Sequence, residues 1–213
     1  MIKGIIFDMD GVISNTQKLH SQVESELLGR YGIKISPTEI TAKYSGVRTK
    51  EFFDDLLKKQ NQEYDLDLLM KEKWSLMEKF ASESVEAIDD SIELIKKLFA
   101  ADYPLAVASA SNLNYVNTVL QKLGVLNYFS YIVSGDMVSK GKPDPESFLL
   151  ASLKIKISPE YCLVIEDGVS GMQAAITGRM KCIGLVKDLN KTYPTNNLVT
   201  SLSEITQDYI NQI

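Results

Sequence analysis

The sequence predicts a doubly wound α/β fold: a parallel, Rossmann-like sheet flanked by helices, with a helical cap inserted after the first strand. Three observations predict it. Five short apolar runs, Ile5–Phe7, Leu105–Ala108, Tyr131–Val133, Leu163–Ile165 and Ile183–Val186, show no polar alternation. Strands buried on both faces of a helix-covered parallel sheet read this way. From residue 89 onward such runs alternate with amphipathic segments of helical spacing, the βα order of doubly wound proteins. Between the first run and residue 83, only helical periodicity is found.

Taken in order, the first run ends in Asp8-Met9-Asp10-Gly11. Leu19, Val23, Leu27 and Tyr31 then recur at helical spacing, with Gly32 placed to end that helix. Ser36-Pro37-Thr38-Glu39 is a capping box with Pro in the first turn. Phe52, Phe53, Leu56 and Leu57 mark a further helix, and Leu66, Met70, Trp74, Met77 and Phe80 a long last one read as packing core. The core resumes with a helix on Ile92, Leu94, Ile95, Leu98 and Phe99. The next carries Tyr115, Val116, Val119, Leu120 and Leu123, closed by Gly124. A third, on Phe148, Leu149, Ala151 and Leu153, has Asp144 as its expected N-cap and Pro145 at its first position. The expected division is a catalytic core at 1–14 and 84–213 and a cap at 15–83.

Composition narrows the class of function. A net charge of -5, from 23 basic and 28 acidic residues, gives no global attraction to nucleic acid or to an anionic membrane. No apolar run approaches the ~20 residues of a membrane span, and the N-terminal run is cut by Asp8 and Asp10, unlike a signal peptide. Cys162 and Cys182 lie inside strand-like runs and read as reduced core thiols. The expectation is a cytoplasmic monomer acting on a small anionic metabolite through a local positive site.

Four strand ends are polar: Asp8-Met9-Asp10-Gly11, Ser109-Ala110-Ser111-Asn112, Gly135-Asp136 followed by Lys142-Pro143, and Glu166-Asp167-Gly168. Open α/β sheets bind ligands outside the carboxyl ends of their strands, so these clusters should converge. Packed carboxylates repel one another, and a divalent cation is their natural neutraliser. Asp8 and Asp167 are candidate ligands, with the Asp10 carbonyl and waters. Ser109 and the backbone after it can hold a phosphate, and Lys142 offsets phosphate and carboxylate charge. A carboxylate held against a metal-bound phosphate can attack phosphorus, and Asp10 is placed to serve the leaving oxygen and later water. Each cluster alone is a weak signal; the four in this order, each closing an apolar run, are a strong one.

FDMDGV at 7–12, ASAS at 108–111, KGKPDPESF at 140–148 and IEDGVSG at 165–171 resemble the haloacid dehalogenase superfamily, in its branch with a helical cap after the first strand. The nearest likeness is to the beta-phosphoglucomutase-like phosphatases. The resemblance implies Asp8 as nucleophile and Asp10 as general acid and base. It implies Ser109 and Ala110, with Ser111, on the phosphate, and Lys142 on the transferring group. Mg²⁺ would be held by Asp8, the Asp10 carbonyl and Asp167, with Glu166 as direct ligand or supporting group. In the cap, Gly46 and Arg48 sit in the expected substrate loop. Arg48 is read either as a substrate contact or as a solvated side chain. His20, the single histidine, is read either as a site residue or as a partly buried structural one. Two departures from the family pattern are Asn15 before the cap and Arg179 in Gly178-Arg179-Met180. The expected reaction is hydrolysis of a small phosphate monoester, a sugar or polyol phosphate. The alternatives are a sugar phosphomutase and a non-catalytic metal-binding interaction protein.

Overall fold

The computed structural model describes residues 1–44, 49–59 and 64–213. Its core is a parallel sheet of order β3-β2-β1-β4-β5-β6. The strands are β1 (Gly4–Phe7), β2 (Leu105–Ala108), β3 (Tyr131–Val133), β4 (Cys162–Glu166), β5 (Lys181–Leu185) and β6 (Asn197–Val199). Successive side chains of each strand enter opposite cores. Ile5, Phe7, Val107, Ile165 and Ile183 meet α5 (Ser91–Ala100), α6 (Leu113–Lys122) and α9 (Gln207–Gln212) on one face. Ile6, Ala106, Ala108, Val164 and Cys182 meet α7 (Glu146–Lys154) and α8 (Val169–Thr177) on the other. This double burial explains why the strands read as unbroken apolar runs.

Among the described residues, four helices, α1 (Gln17–Arg30), α2 (Pro37–Tyr44), α3 (Thr49–Lys58) and α4 (Leu66–Glu83), lie in the chain between β1 and α5. The fold class is therefore the one anticipated: a doubly wound core with inserted helices. The two chain crossings run side by side. Ser14 pairs antiparallel with Ala87, the Asn15 N–H donates to Glu86 O at 2.9 Å, and the Ile88 N–H donates to Ile13 O at 3.0 Å.

Most local signals are present as anticipated. Gly32 and Gly124 take φ +76° and +70° just past α1 and α6. In the Ser36–Glu39 capping box the Glu39 N–H donates to Ser36 Oγ at 3.2 Å, and the Ser36 N–H donates to Glu39 Oε2 at 3.1 Å. Three readings are corrected. Pro145, not Asp144, is the N-cap of α7; Asp144 Oδ1 instead accepts from the Glu146 N–H at 3.0 Å. The strand β6 was not anticipated, because Asn197-Leu198-Val199 is a three-residue edge strand in which only Val199 is fully buried. The buried row of α4 is Leu69, Lys73, Met77 and Ala81, which shares only Met77 with the stripe read in the sequence. That helix is packed on two sides, by α1 and by α6, so the stripe of Leu66, Met70, Trp74 and Phe80 is only half-buried. Among the described residues, no helix is long and apolar enough to cross a membrane.

Candidate active site

The strand order reverses between β1 and β4: from β1 the chain builds outward to β2 and β3, then returns to β4 on the other side. The crevice at this reversal is where open α/β sheets bind ligands. Asp8 leaves β1 there, and Glu166-Asp167 leave β4 beside it, with Phe7 and Ile165 in register. One carboxylate oxygen each from Asp8, Glu166 and Asp167 lie within 4.8 Å of one another.

Lys142 enters from the segment before α7 and is nearly buried. Its Nζ donates to Asp8 Oδ1 at 2.5 Å, Glu166 Oε2 at 2.7 Å and Ala108 O at 3.2 Å, which uses all three ammonium protons. Glu166 Oε1 also accepts from the N–H groups of Asp167 and Gly168, at 3.1 and 2.9 Å. Both Glu166 oxygens are thus engaged, and Gly171 makes room for them: a Cβ there would lie 1.8 Å from Oε2.

Three carboxylates share one ammonium, and the charges show it. Burial and then Glu166 push the Asp8 carboxyl above its ordinary range despite Lys142. Burial and then Glu166 push Asp167 up to about 7. Burial alone would lower the pKa of Lys142, but Asp8 and Glu166 outweigh it and hold the ammonium charged. The cluster is short of positive charge and built of hard oxygen donors, which fits Mg²⁺.

Asp10 lies two residues on, past a tight turn in which the N–H groups of Val12, Ile13 and Ser14 all donate to Met9 O. Gly11 takes φ +99°, and a Cβ there would lie 2.3 Å from Asp167 Oδ2. The side chains of Thr16, His20, Ser109 and Ser111 face the Asp10 carboxylate. Thr16 Oγ1 donates to Oδ1 at 2.5 Å, and His20 Nε2 lies 3.3 Å from the same oxygen. Ser111 Oγ and Ser109 Oγ donate to Oδ2 at 2.9 and 3.4 Å. Burial would raise this carboxyl, but His20, Thr16 and Ser111 outweigh it and bring its pKa down to about 2. Ser109 and Ser111 are buried, while Ala110 is exposed at the loop tip. The Ser111 N–H is taken up by Ser109 Oγ at 3.1 Å.

The structure thus gathers Asp8, Asp10, Ser109, Ser111, Lys142, Glu166 and Asp167, and places His20 against Asp10. Gly46 and Arg48 lie outside the described residues. Asn15 and Arg179 are exposed. Sequence reasoning missed four participants. Thr16 and Gln17 open α1 immediately beyond the crossing, and Gln17 Nε2 donates to Asp167 Oδ2 at 2.5 Å. Their place directly after the D-x-D turn was the available signal. Tyr115 and Trp74 were read as packing core. Their rings instead meet His20 edge-on, at 5.5 and 6.0 Å, and each other at 5.8 Å, where α4 docks on α6.

The family model for haloacid dehalogenase-like hydrolases matches residues 5–185. The chain belongs to this family. It is 30% identical over 180 residues to fructose-1-phosphate phosphatase YqaB of Escherichia coli, covering 84% of this chain and 94% of that one. It is 28% identical over 193 residues to the phosphorylated carbohydrates phosphatase of Thermotoga maritima, covering 89% and 88%. A crystal structure of beta-phosphoglucomutase from Clostridium difficile superposes with a TM-score of 0.86 at 27% identity, covering 100% and 96%. The chain is a phosphoric monoester hydrolase of this family, with phosphomutases among its structural neighbours.

Proposed function

We propose that this hydrolase cleaves the phosphate monoester of a small sugar or polyol, with Asp8 as the nucleophile. The observation that carries the reading is the pairing of two unlike carboxylates. Asp8 sits among Lys142, Glu166 and Asp167, whereas Asp10 is held apart by neutral donors and His20. The named activities of the carbohydrate-phosphate relatives support the substrate class.

In this reading Asp8, the Asp10 carbonyl and Asp167 would hold Mg²⁺, which would supply the positive charge that lets an anionic phosphate approach a carboxylate. Glu166, with both oxygens committed, holds Lys142 and the strand end in place. The Asp8 carboxylate attacks phosphorus, the bond to the leaving oxygen breaks, and Asp10 delivers a proton to that oxygen. Water then attacks phosphorus, Asp10 takes its proton, and the Asp8 carboxylate is released with inorganic phosphate. Lys142 offsets the charge of the transferring group, and Ser109 with the Ala110 backbone holds it. The low pKa of Asp10 in the resting site suits the second, basic half of this cycle. A phosphate arriving beside it adds negative charge, which favours the protonated acid of the first half.

The core is assigned to 1–14 and 84–213 and the cap to 15–83, with Gly46 and Arg48 as candidate contacts to the leaving group. A phosphomutase would need cations in the cap for a second phosphate. On α4, Lys71 and Lys79 are exposed, and Lys73 is buried against Glu24 at 2.7 Å. That commitment favours hydrolysis. The test is a panel of sugar and polyol phosphates with Mg²⁺, read as inorganic phosphate. β-Glucose 1-phosphate with a trace of glucose 1,6-bisphosphate is followed in parallel for glucose 6-phosphate. Fast isomerisation with little free phosphate would replace phosphatase by mutase.

A further inference from the structure

Among the polar residues at the strand ends, Gly135-Asp136 after β3 has no part in the reaction above. The pair meets the loop that runs from Ser109 into α6, the loop assigned to the phosphate. Hydrogen bonds tie that loop to residues 133–136. The Ser109 N–H donates to Val133 O at 2.9 Å, and the Gly135 N–H donates to Ser111 O at 2.8 Å. The Leu113 N–H, at the first residue of α6, donates to Asp136 Oδ1 at 3.2 Å. Gly135 also lies directly against the Ala110 carbonyl. A Cβ there would stand 2.2 Å from Ala110 O and 2.8 Å from Ala110 C, so a side chain would have to displace backbone.

The C=O and N–H of a trans peptide point in opposite directions. With the carbonyls of Ala110 and Ser111 turned onto Gly135, the N–H groups of Ser111 and Asn112 point away from it. The Ser111 N–H meets Ser109 Oγ at 3.1 Å, and Ser109 Oγ lies 3.4 Å from Asp10 Oδ2, so this is the side of the loop that faces the site. A phosphate is held by donors and repelled by carbonyl oxygens, so the loop serves it only in this orientation. Asp136 adds a contrast. A carboxylate at the start of α6 opposes the positive helix end that favours an anion. Its charge works against a phosphate, and its use is as an acceptor that ties the first turn of α6 to the end of β3.

We propose that Gly135 and Asp136 are positioning residues for the phosphate. From behind the loop they fix which of its groups, N–H or C=O, the phosphate meets. The inference rests on the assignment of Ser109 and the Ala110 backbone to the phosphate and adds what holds that loop in its working orientation. Both residues act through the loop, so their effect is the same on every ester.

Inorganic phosphate is the probe, because it meets the loop without a leaving group. Its affinity, with Mg²⁺ present, is measured by titration calorimetry and by inhibition of p-nitrophenyl phosphate turnover. The proteins compared are wild type, Gly135→Ala, Asp136→Ala and Asp136→Asn, with circular dichroism and thermal melting to show that each is folded. Asp136→Ala removes the acceptor and should weaken phosphate roughly threefold to tenfold, the worth of one hydrogen bond. Asp136→Asn keeps an oxygen acceptor and removes the charge. Phosphate should bind it as tightly as wild type, or up to about fivefold more tightly. Gly135→Ala must move the Ala110 carbonyl. It should weaken phosphate by roughly tenfold or more and lower kcat/KM by one common factor on sugar and aryl esters. If Gly135→Ala fails to fold, the two Asp136 variants carry the test. An unchanged phosphate affinity in Asp136→Ala, or in folded Gly135→Ala, would overturn the proposal whatever the melting temperature does. So would an Asp136→Asn protein as weak as Asp136→Ala, since the charge and not the acceptor would then be the active feature. A wild type that binds no inorganic phosphate would instead remove the phosphate role of the loop, and the proposal with it.

Discussion

Replacing Glu24 by leucine should destabilise the protein more than any exposed charge change, and the structure sets the size. Glu24 on α1 and Lys73 on α4 are paired at 2.7 Å, with side chains only 7% and 1% exposed. Lys73 also donates to Thr49 Oγ1 at 2.5 Å and lies 4.6 Å from the centre of the Trp74 ring. Without Glu24 the ammonium is left in a place water does not reach. Breaking one side of a buried pair costs about 3–5 kcal/mol. For a chain of 213 residues that corresponds to a fall in melting temperature of roughly 6–20 °C. Removing both charges, in Glu24→Leu/Lys73→Met, should recover most of the loss, because two desolvated ions are replaced by apolar groups of similar volume. The shortfall should be about 1 kcal/mol, from the Thr49 hydroxyl, which now loses both of its partners. The assay is urea unfolding followed by the fluorescence of Trp74, the one tryptophan, with far-UV circular dichroism alongside. A Glu24→Leu cost below about 1 kcal/mol, or a double variant no better than the worse single one, would refute the argument that the pair is closed to water.

Asp8→Asn keeps the volume and removes the proposed nucleophile; turnover of every phosphate ester should be lost, while circular dichroism should show the fold intact. In metal-free protein the raised pKa of Asp167 makes a stabilising contribution that is full below about 4. It is lost as pH rises through about 7, the folded-state value. Mg²⁺ should therefore raise the melting temperature more at pH 8 than at pH 5, and its binding near pH 7 should release protons, measurable by calorimetry in buffers of different ionisation enthalpy. Gln17→Ala removes the amide that holds Asp167 Oδ2. Mg²⁺ affinity should weaken by roughly 10–100-fold in titration calorimetry, and an unchanged affinity would make that contact incidental to the metal.

The sheet was legible because a parallel strand covered on both faces has nothing polar to interrupt it. Ile5–Phe7 and Leu163–Ile165 could be placed from their residues alone, and the acidic pairs that follow them inherit that placement. The edge strand at Asn197 offered no such run. The polar network around Asp10 was only half legible. Ser109 and Ser111 stand at a strand end, where ligand sites are sought, but Thr16 and Gln17 open a helix and look like ordinary capping residues. Tyr115 and Trp74 follow helical spacing whether they face a core or a neighbouring domain, so periodicity could not separate the two. Lys73 shows the converse. A lysine beside an apolar stripe reads as solvated, and only the acidic partner on another helix, 49 positions earlier, explains its burial.

The paired chain crossings have a practical meaning for exchanging caps between relatives. Asp10 bridges to Ser14, and Ser14 to Ala87, so the proposed proton-handling residue and both crossing segments form one hydrogen-bonded patch. A graft whose seams fall inside that patch would replace half of its bonds and shift the Asp10 backbone together with the new cap. Seams placed after Gln17 and before Ser84 would carry only helix across the junction. They would leave the patch, Thr16 and the Gln17–Asp167 contact with the recipient. Substrate range could then be changed while the proton-handling geometry stays with the parent.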